Sequence, residues 1–455
     1  MKKILSVIIG IILTVVVSGQ EKESKTKTGW RFDGALPATT YDSNLGFQYG
    51  ALVEFRNYGN PSVYPEFLDH TYTEISHFTK GSGIFRMMYE SYHLIPGIHS
   101  TTDLSYLPDA ATDFYGFNGY ESVYNSDWMK YDKETGPADP YISAMFYRLK
   151  RNQFRFKNDF QGKLAGEHIK WSAGFALNNF QVGSINIDKL NKGREYKLPQ
   201  VSEDPGLYEL YRDSLGLISE NEADGGWVNT LKAGIEWDSR DSRANPMKGL
   251  WTEMGIEVAP GFIGNDWTFS RFYITHRQYF TLIPNNLSFV YRLGFQTTLG
   301  DGKVPFFYQS QVITSMLTGA TNEGLGGSAT LRGVLRNRVL GNGITYGNFE
   351  LRWKPVHFRL FNKDSYLGVN FFYDMGIVTK NIAMPDNLRT TFDTKMKNYT
   401  YSDFFNPGAE KLHQSAGISI MPVWGQNFVI AIDIGKSFNK QDGNIGFSVG
   451  LNYLF

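Results

Sequence analysis

From Gly46 to Phe455 the chain repeats one pattern. Apolar and polar side chains alternate in runs of about 9–12 residues, the length a tilted strand needs to cross a bilayer. Ile169, Trp171, Ala173, Phe175 and Leu177 alternate with Lys170, Ser172, Gly174 and Ala176. Leu231, Ala233, Ile235 and Trp237 alternate with Lys232, Gly234, Glu236 and Asp238, and Leu287, Phe289, Tyr291, Leu293 and Phe295 with Ser288, Val290, Arg292, Gly294 and Gln296. Period two places the two sets on opposite faces of an extended strand. In a soluble sandwich the apolar face is the core; in a membrane barrel it meets lipid and the polar face lines the lumen.

The rest of the chain favours the barrel. Residues 1–20 read as a secretory signal peptide: Lys2 and Lys3, the apolar run Ile4 to Val17, then small residues at Ser18 and Gly19. That run is too short for a membrane-spanning helix, which takes about 20 residues. No later stretch is long and apolar enough, so a membrane protein with this sequence must cross with closed strands. Aromatics at 15% and 47 glycines, with a mean hydropathy of −0.32, suit a strand-rich chain with polar loops. The absence of cysteine excludes a disulfide framework, and the zero net charge gives no nucleic-acid signal.

The predicted fold is all-β, a transmembrane antiparallel β-barrel of about 16 strands with an inward-folded loop. The predicted segments are a signal peptide over 1–20, a short periplasmic lead-in over 21–45 and the barrel over 46–455. Short turns are expected at Lys80–Gly83, Gly162–Glu167, Ile283–Asn286 and Met421–Gln426, and long loops at Gln181–Gly226, Leu299–Thr345 and Thr379–Lys411. This asymmetry matches periplasmic turns and external loops. The aromatics of Gln181–Gly226, with Tyr208, Tyr211 and Leu217, read as a contact surface for a partner protein. Phe447, Val449, Leu451, Tyr453 and Phe455 form the apolar face of a last strand, expected to close on the strand that starts at Gly46.

Leu331-Arg332-Gly333-Val334 lies in a Gly-rich segment, Gly324 to Gly343, between two such strands. In the runs that follow it, Glu350 and Asp374 are acidic members of the polar faces, so the alternation points both into the lumen. A guanidinium can bridge two carboxylates with its planar fork, which an ammonium cannot match. The reading is a loop pinned inside the barrel by Arg332 on Glu350 and Asp374.

At these residues the chain resembles the BamA/TamA-type superfamily of bacterial surface-antigen barrels. Their inward loop carries a Val/Ile-Arg-Gly-Phe/Tyr tip, here Leu331-Arg332-Gly333-Val334, with Val334 in place of the aromatic. The following strands carry a lumenal Glu and an Asp-Ala/Met-Gly, here Glu350 and Asp374-Met375-Gly376. Asp238-Ser239-Arg240-Asp241 followed by Pro246 and Gly249 resembles the family's strand–turn–strand signature, and Met421 to Gly425 its last short turn. The resemblance implies an outer-membrane barrel of a Gram-negative-type bacterium. It would assist protein insertion or translocation across the outer membrane with partner proteins, which are other envelope proteins or barrel clients, and it would lie in outer-membrane lipid. The periplasmic repeat domains that receive clients in assembly factors have no counterpart in this sequence. A solute-conducting or sealed barrel, and a structural scaffold for surface proteins, are the alternatives.

No catalytic constellation, cofactor motif or metal site stands out, and the chain is not read as an enzyme. His70, His77, His93 and His99 fall close together in sequence, but their spacing brings no ligand set together on a single strand. Glu220, Glu222 and Asp224 read as solvated loop charge.

Overall fold

The computed structural model describes residues 28–455 except 43–44, 61–66, 133–135, 138–139, 193–196, 244, 316–323, 361–362, 425–427 and 452–454. The proposed signal peptide lies outside the described residues. Sixteen antiparallel strands form a closed wall. In chain order they are β1 (Trp30–Pro37, continued by Tyr41–Asp42), β2 (Gly46–Asn57), β3 (Asp69–Phe78), β4 (Gly83–Ile95), β5 (Ile98–Leu107), β6 (Arg148–Ala165), β7 (Ile169–Gly183) and β8 (Gly225–Asp238). The second half comprises β9 (Gly249–Ala259), β10 (Phe269–Ile283), β11 (Leu287–Leu299), β12 (Gly343–Leu360), β13 (Lys363–Lys380), β14 (His413–Trp424), β15 (Phe428–Ser437) and β16 (Ile445–Leu451). Each strand pairs with its neighbour in sequence, and β16 pairs back onto β1.

The closure corrects two expectations. Residues Trp30 to Asp42 do not form a lead-in; they are the first strand of the wall, paired with β2 from Trp30↔Asn57 to Asp42↔Gly46. The last strand therefore closes on Tyr41 and Asp42, opposite Val449 and Ser448, and not on the strand from Gly46. The gap inside β1 is bridged by the Ala38 N–H to the Gly50 carbonyl at 3.0 Å and the Gln48 N–H to the Thr40 carbonyl at 2.8 Å. A third correction concerns Phe455. Phe447 and Leu451 keep to the outer face and Tyr453 lies outside the described residues, but the Phe455 ring sits 5.2 Å from the Arg292 guanidinium and 5.0 Å from that of Arg352, both buried on the lumenal face.

Alternation sets the two faces. Ile75, Met87, Ile235, Ile256, Phe371 and Ile434 are exposed on the outside, whereas Arg155, Lys232, Glu253, Arg271, Arg292 and Asp374 are buried within. For strands in lipid, only such a closed ladder leaves no backbone group unpaired.

Strand parity assigns every connection to one of two ends. One end carries the tight turns at 96–97, 166–168 and 284–286, and the other the long connections 108–147, 184–224, 300–342 and 381–412. The short turn at Lys80 falls at the long-loop end, because it joins β3 to β4 there. The long loops pack on each other in one aromatic core: Phe146, Tyr208, Tyr211 and Phe392 are fully buried, Tyr211 meets Phe114 edge-on at 5.5 Å, and Phe180 at the top of β7 meets Phe307 at 5.3 Å. Burial on this scale gives the loops a water-excluding core of their own. Tyr208 and Tyr211, expected as a partner surface, are spent in this dome.

Candidate functional site

The 300–342 connection turns back into the barrel. Leu331 and Val334 bury their side chains with Leu325, Val339, Tyr346 and Val378, so the apolar residues flanking the tip anchor it even with Val334 where the family has an aromatic. Thr330 closes the turn before the tip: its hydroxyl accepts the Gly326 N–H at 3.0 Å, and its carbonyl accepts from Asn348 Nδ2 at 2.7 Å. Arg292 adds a hydrogen bond to the Ala329 carbonyl at 3.2 Å.

Arg332 meets the wall on two adjacent strands. On β13, Asp374 accepts from the Arg332 backbone N–H at 2.9 Å, from Nε at 2.8 Å and from Nη2 at 2.8 Å. On β12, Glu350 accepts from Nη1 at 2.6 Å. The guanidinium lies 3.7 Å above the centre of the Phe372 ring, two residues before Asp374 on β13. All three charged side chains are almost wholly buried. Burial works against the charge on Arg332, but the carboxylates of Asp374 and Glu350 outweigh it and hold the guanidinium more firmly protonated than usual. Glu350 has a second cation, Arg352 Nε at 2.7 Å, and Arg352 Nη2 donates to the Phe455 carbonyl at 2.9 Å.

Two features of the site escaped the sequence reading. Asp433 on β15 is a third lumenal acid, 3.9 Å from Arg332 Nη1 and bonded to the Ser419 hydroxyl. The other is a row of glycines: Gly417, Gly435 and Gly446 are register partners across β14, β15 and β16, and the loop tip lies on Gly435 and Gly446. A Cβ on Gly446 would come within 3.0 Å of the Gly333 Cα. Gly333 itself has φ 89°, a backbone region that favours glycine. The alternation Val429, Ala431, Asp433, Gly435 carried the signal for both features.

The other sequence motifs are structural. Asp238 and Arg240 form a two-pronged pair at 2.9 and 2.8 Å, with the guanidinium 4.0 Å over the Trp251 ring. Asp241 accepts the backbone N–H groups of Met247 and Lys248 at 3.0 and 3.2 Å and so closes the β8–β9 turn. Met421 is buried on the lumenal face of β14. Glu222, read as solvated, is buried and accepts the Phe306 N–H at 3.0 Å. His77 packs outward against Tyr49 and Phe85. His99 Nε2 is 2.7 Å from Glu90, His70 Nδ1 3.7 Å from Glu90, and His93 3.2 Å from Asp69, so cross-strand pairing joins three histidines that sequence spacing left apart. Among the described residues no group of three or more such side chains is arranged to hold a metal ion.

Comparison with known proteins places this geometry. No curated protein matches the sequence. Among solved structures, BamA from Haemophilus ducreyi lacking POTRA domains 1–3 is similar at 14% identity, covering 94% of this chain and 71% of that one with a TM-score of 0.52. CdiB from Acinetobacter baumannii is similar at 12% identity, covering 94% of this chain and 60% of that one with a TM-score of 0.47. The sequence matches the Omp85 superfamily domain over residues 129–455, which holds the whole pinned loop and both of its carboxylate sockets, and the chain therefore belongs to the Omp85 superfamily of outer-membrane barrels.

Proposed function

We propose that this barrel assists the insertion or translocation of proteins at the outer membrane by parting between β1 and β16, with other envelope proteins delivering the clients. The observation that carries this is the seam. Among the described residues β1 and β16 are register partners only at Tyr41↔Val449 and Asp42↔Ser448, whereas β12 and β13 pair along their length from Gly343 to Leu360. At about 1 kcal/mol net per backbone hydrogen bond, a ladder as short as that between the described residues opens more cheaply than the β12–β13 junction. The pinned loop supports the same reading, since its tip rests on Gly446 of the seam strand β16 and on Gly435 of its neighbour β15.

A locked seam tests it. The chain has no cysteine, so Tyr41→Cys with Val449→Cys gives a single possible disulfide between register partners. Such pairs bring Cβ atoms within the span a disulfide accepts. The oxidised barrel should remain folded and lose its ability to insert unfolded barrel proteins into vesicles, and reduction should restore it. Equal activity when oxidised and reduced would rule out the seam as the route. Gentle detergent extraction should recover the chain with at least one other envelope protein; a lone monomer would argue against assisted delivery.

A further inference from the structure

The β8–β9 connection, described at 239–243 and 245–248, does not stay at the rim beside its own strands. Its far side is fixed to the wall at β10 and β12. Thr281 donates its hydroxyl to the Met247 carbonyl at 3.0 Å, and Lys354 Nζ reaches Asn245 Oδ1 at 3.3 Å and Met247 Sδ at 3.4 Å. Its near side reaches the other way: Arg243 Nη1 donates to the Tyr92 hydroxyl, on β4, at 3.2 Å. In a ring of sixteen strands, β4 and β12 stand opposite each other. The described residues of this turn therefore touch both walls of the lumen at the tight-turn end.

The two attachments differ in firmness. Around 245–248 the chain is held by several groups at once: Asp241 accepts two backbone N–H groups there, Met247 is buried, and Lys354 sits 4.7 Å over the Tyr366 ring. Among the described residues the attachment on the β4 side is the Arg243–Tyr92 hydrogen bond. The wall prepares that acceptor. Tyr92 stacks flat on His99 at 4.1 Å, and its hydroxyl also bonds Glu90, which His99 and His70 flank. A stack and a carboxylate thus fix the hydroxyl at one place over the mouth. Beside the turn, a cavity of about 680 Å³ bordered by Ser242, Asn245, Lys354 and His357 leaves room for movement and for small molecules.

We propose that this connection is a strap across the tight-turn mouth of the lumen, hinged on β10 and β12 and latched by Arg243 on Tyr92, which passes small solutes beside it and bars polypeptide-sized molecules until the latch opens. The inference is independent of the seam, because it concerns entry to the lumen and not exit through the wall.

Reagent size reads the latch out. Met88 lies half-buried two residues above Glu90 on the same face of β4. Met88→Cys would be the chain's one thiol. In the detergent-solubilised barrel, a small maleimide should label it at the same rate with Arg243 intact or replaced by Ala. A polymer-linked maleimide should label the Arg243→Ala barrel about tenfold faster, the population shift expected from losing one charged hydrogen bond on a two-state element. Tyr92→Phe keeps the His99 stack, removes the acceptor and should give the same size-selective rise. It decides the matter if Arg243→Ala fails to show the heat-resistant folded form. Polymer labelling unchanged by both substitutions would overturn the proposal. So would equal acceleration of both reagents, which marks a loosened barrel and not an opened latch.

Discussion

Gly435 lies so close to Gly333 that a Cβ built on Gly435 would stand 2.9 Å from the Gly333 nitrogen, and one on Gly333 would stand 2.6 Å from the Gly435 carbonyl carbon. The loop tip and the wall thus meet backbone to backbone, with no side chain available to yield. Gly435→Ala should displace the tip and cost about 1–3 kcal/mol, the usual penalty for overpacking a tight interior contact. Lower heat resistance of the folded form and new protease cuts within 300–342 are the expected readouts; a parent-like digest would mean that the tip does not rest on β15.

The ion cluster gives an order of severity. Arg332→Ala leaves Glu350 and Asp374 buried without their shared cation, a loss of about 3–5 kcal/mol for a broken buried pair. Arg332→Lys should come next, since an ammonium cannot reproduce the planar fork. Asp374→Asn should follow, because Asp374 accepts three bonds from Arg332, and Glu350→Gln should be mildest at the tip, because Glu350 accepts one bond from Arg332 and its bond from Arg352 stays within β12. Thermal melts of the four variants, scored by the folded form on gels, test the ranking. A Glu350 variant weaker than the Asp374 variant would contradict it.

The dome hangs on Arg338. This buried guanidinium donates to the carbonyls of Gln441, Gly119 and Ser122 at 2.7, 2.8 and 2.9 Å. Arg338→Ala strands the Gln441 and Ser122 carbonyls, each worth about 1–3 kcal/mol when left unpaired, and leaves the Gly119 carbonyl with only the Ser122 N–H. Proteolysis from outside intact cells should then reach 108–147, which the parent protects.

Phe455 separates two placements. On the lipid face, Phe455→Leu would be silent. Against Arg292 and Arg352 it removes two ring–cation contacts, each worth about 0.5–2 kcal/mol. A measurable drop in heat resistance on Phe455→Leu is expected, and an unchanged melt would return the ring to the outer face.

What could be read in advance followed strand periodicity. Glu350 and Asp374 were legible because each sits at an even step in an unbroken alternation, and Asp433 would have followed from the same rule applied to Val429–Gly435. The first strand was not legible: its register shifts between Phe32 and Gly34, and Pro37 interrupts the ladder before Tyr41. The histidine–carboxylate network was hidden for a different reason. His70, Glu90 and His99 stand on three strands, and only the register of those strands puts them together. The dome has no period at all, since its core is assembled from side chains of separate loops.

The dome also sets an order on assembly. Asp442, in the last hairpin, accepts from Tyr120, which lies 322 residues earlier, and pairs with His413; its carbonyl accepts the Leu335 N–H. Contacts this distant in sequence must wait for the chain between them to be placed, because the entropy of closing the loop comes due before the contact forms. Tyr120 therefore gains Asp442, and Arg338 the Gln441 carbonyl, only after the last hairpin has been placed. The outer surface of this protein matures last, and its resistance to protease is a clock for the closing of the barrel beneath it.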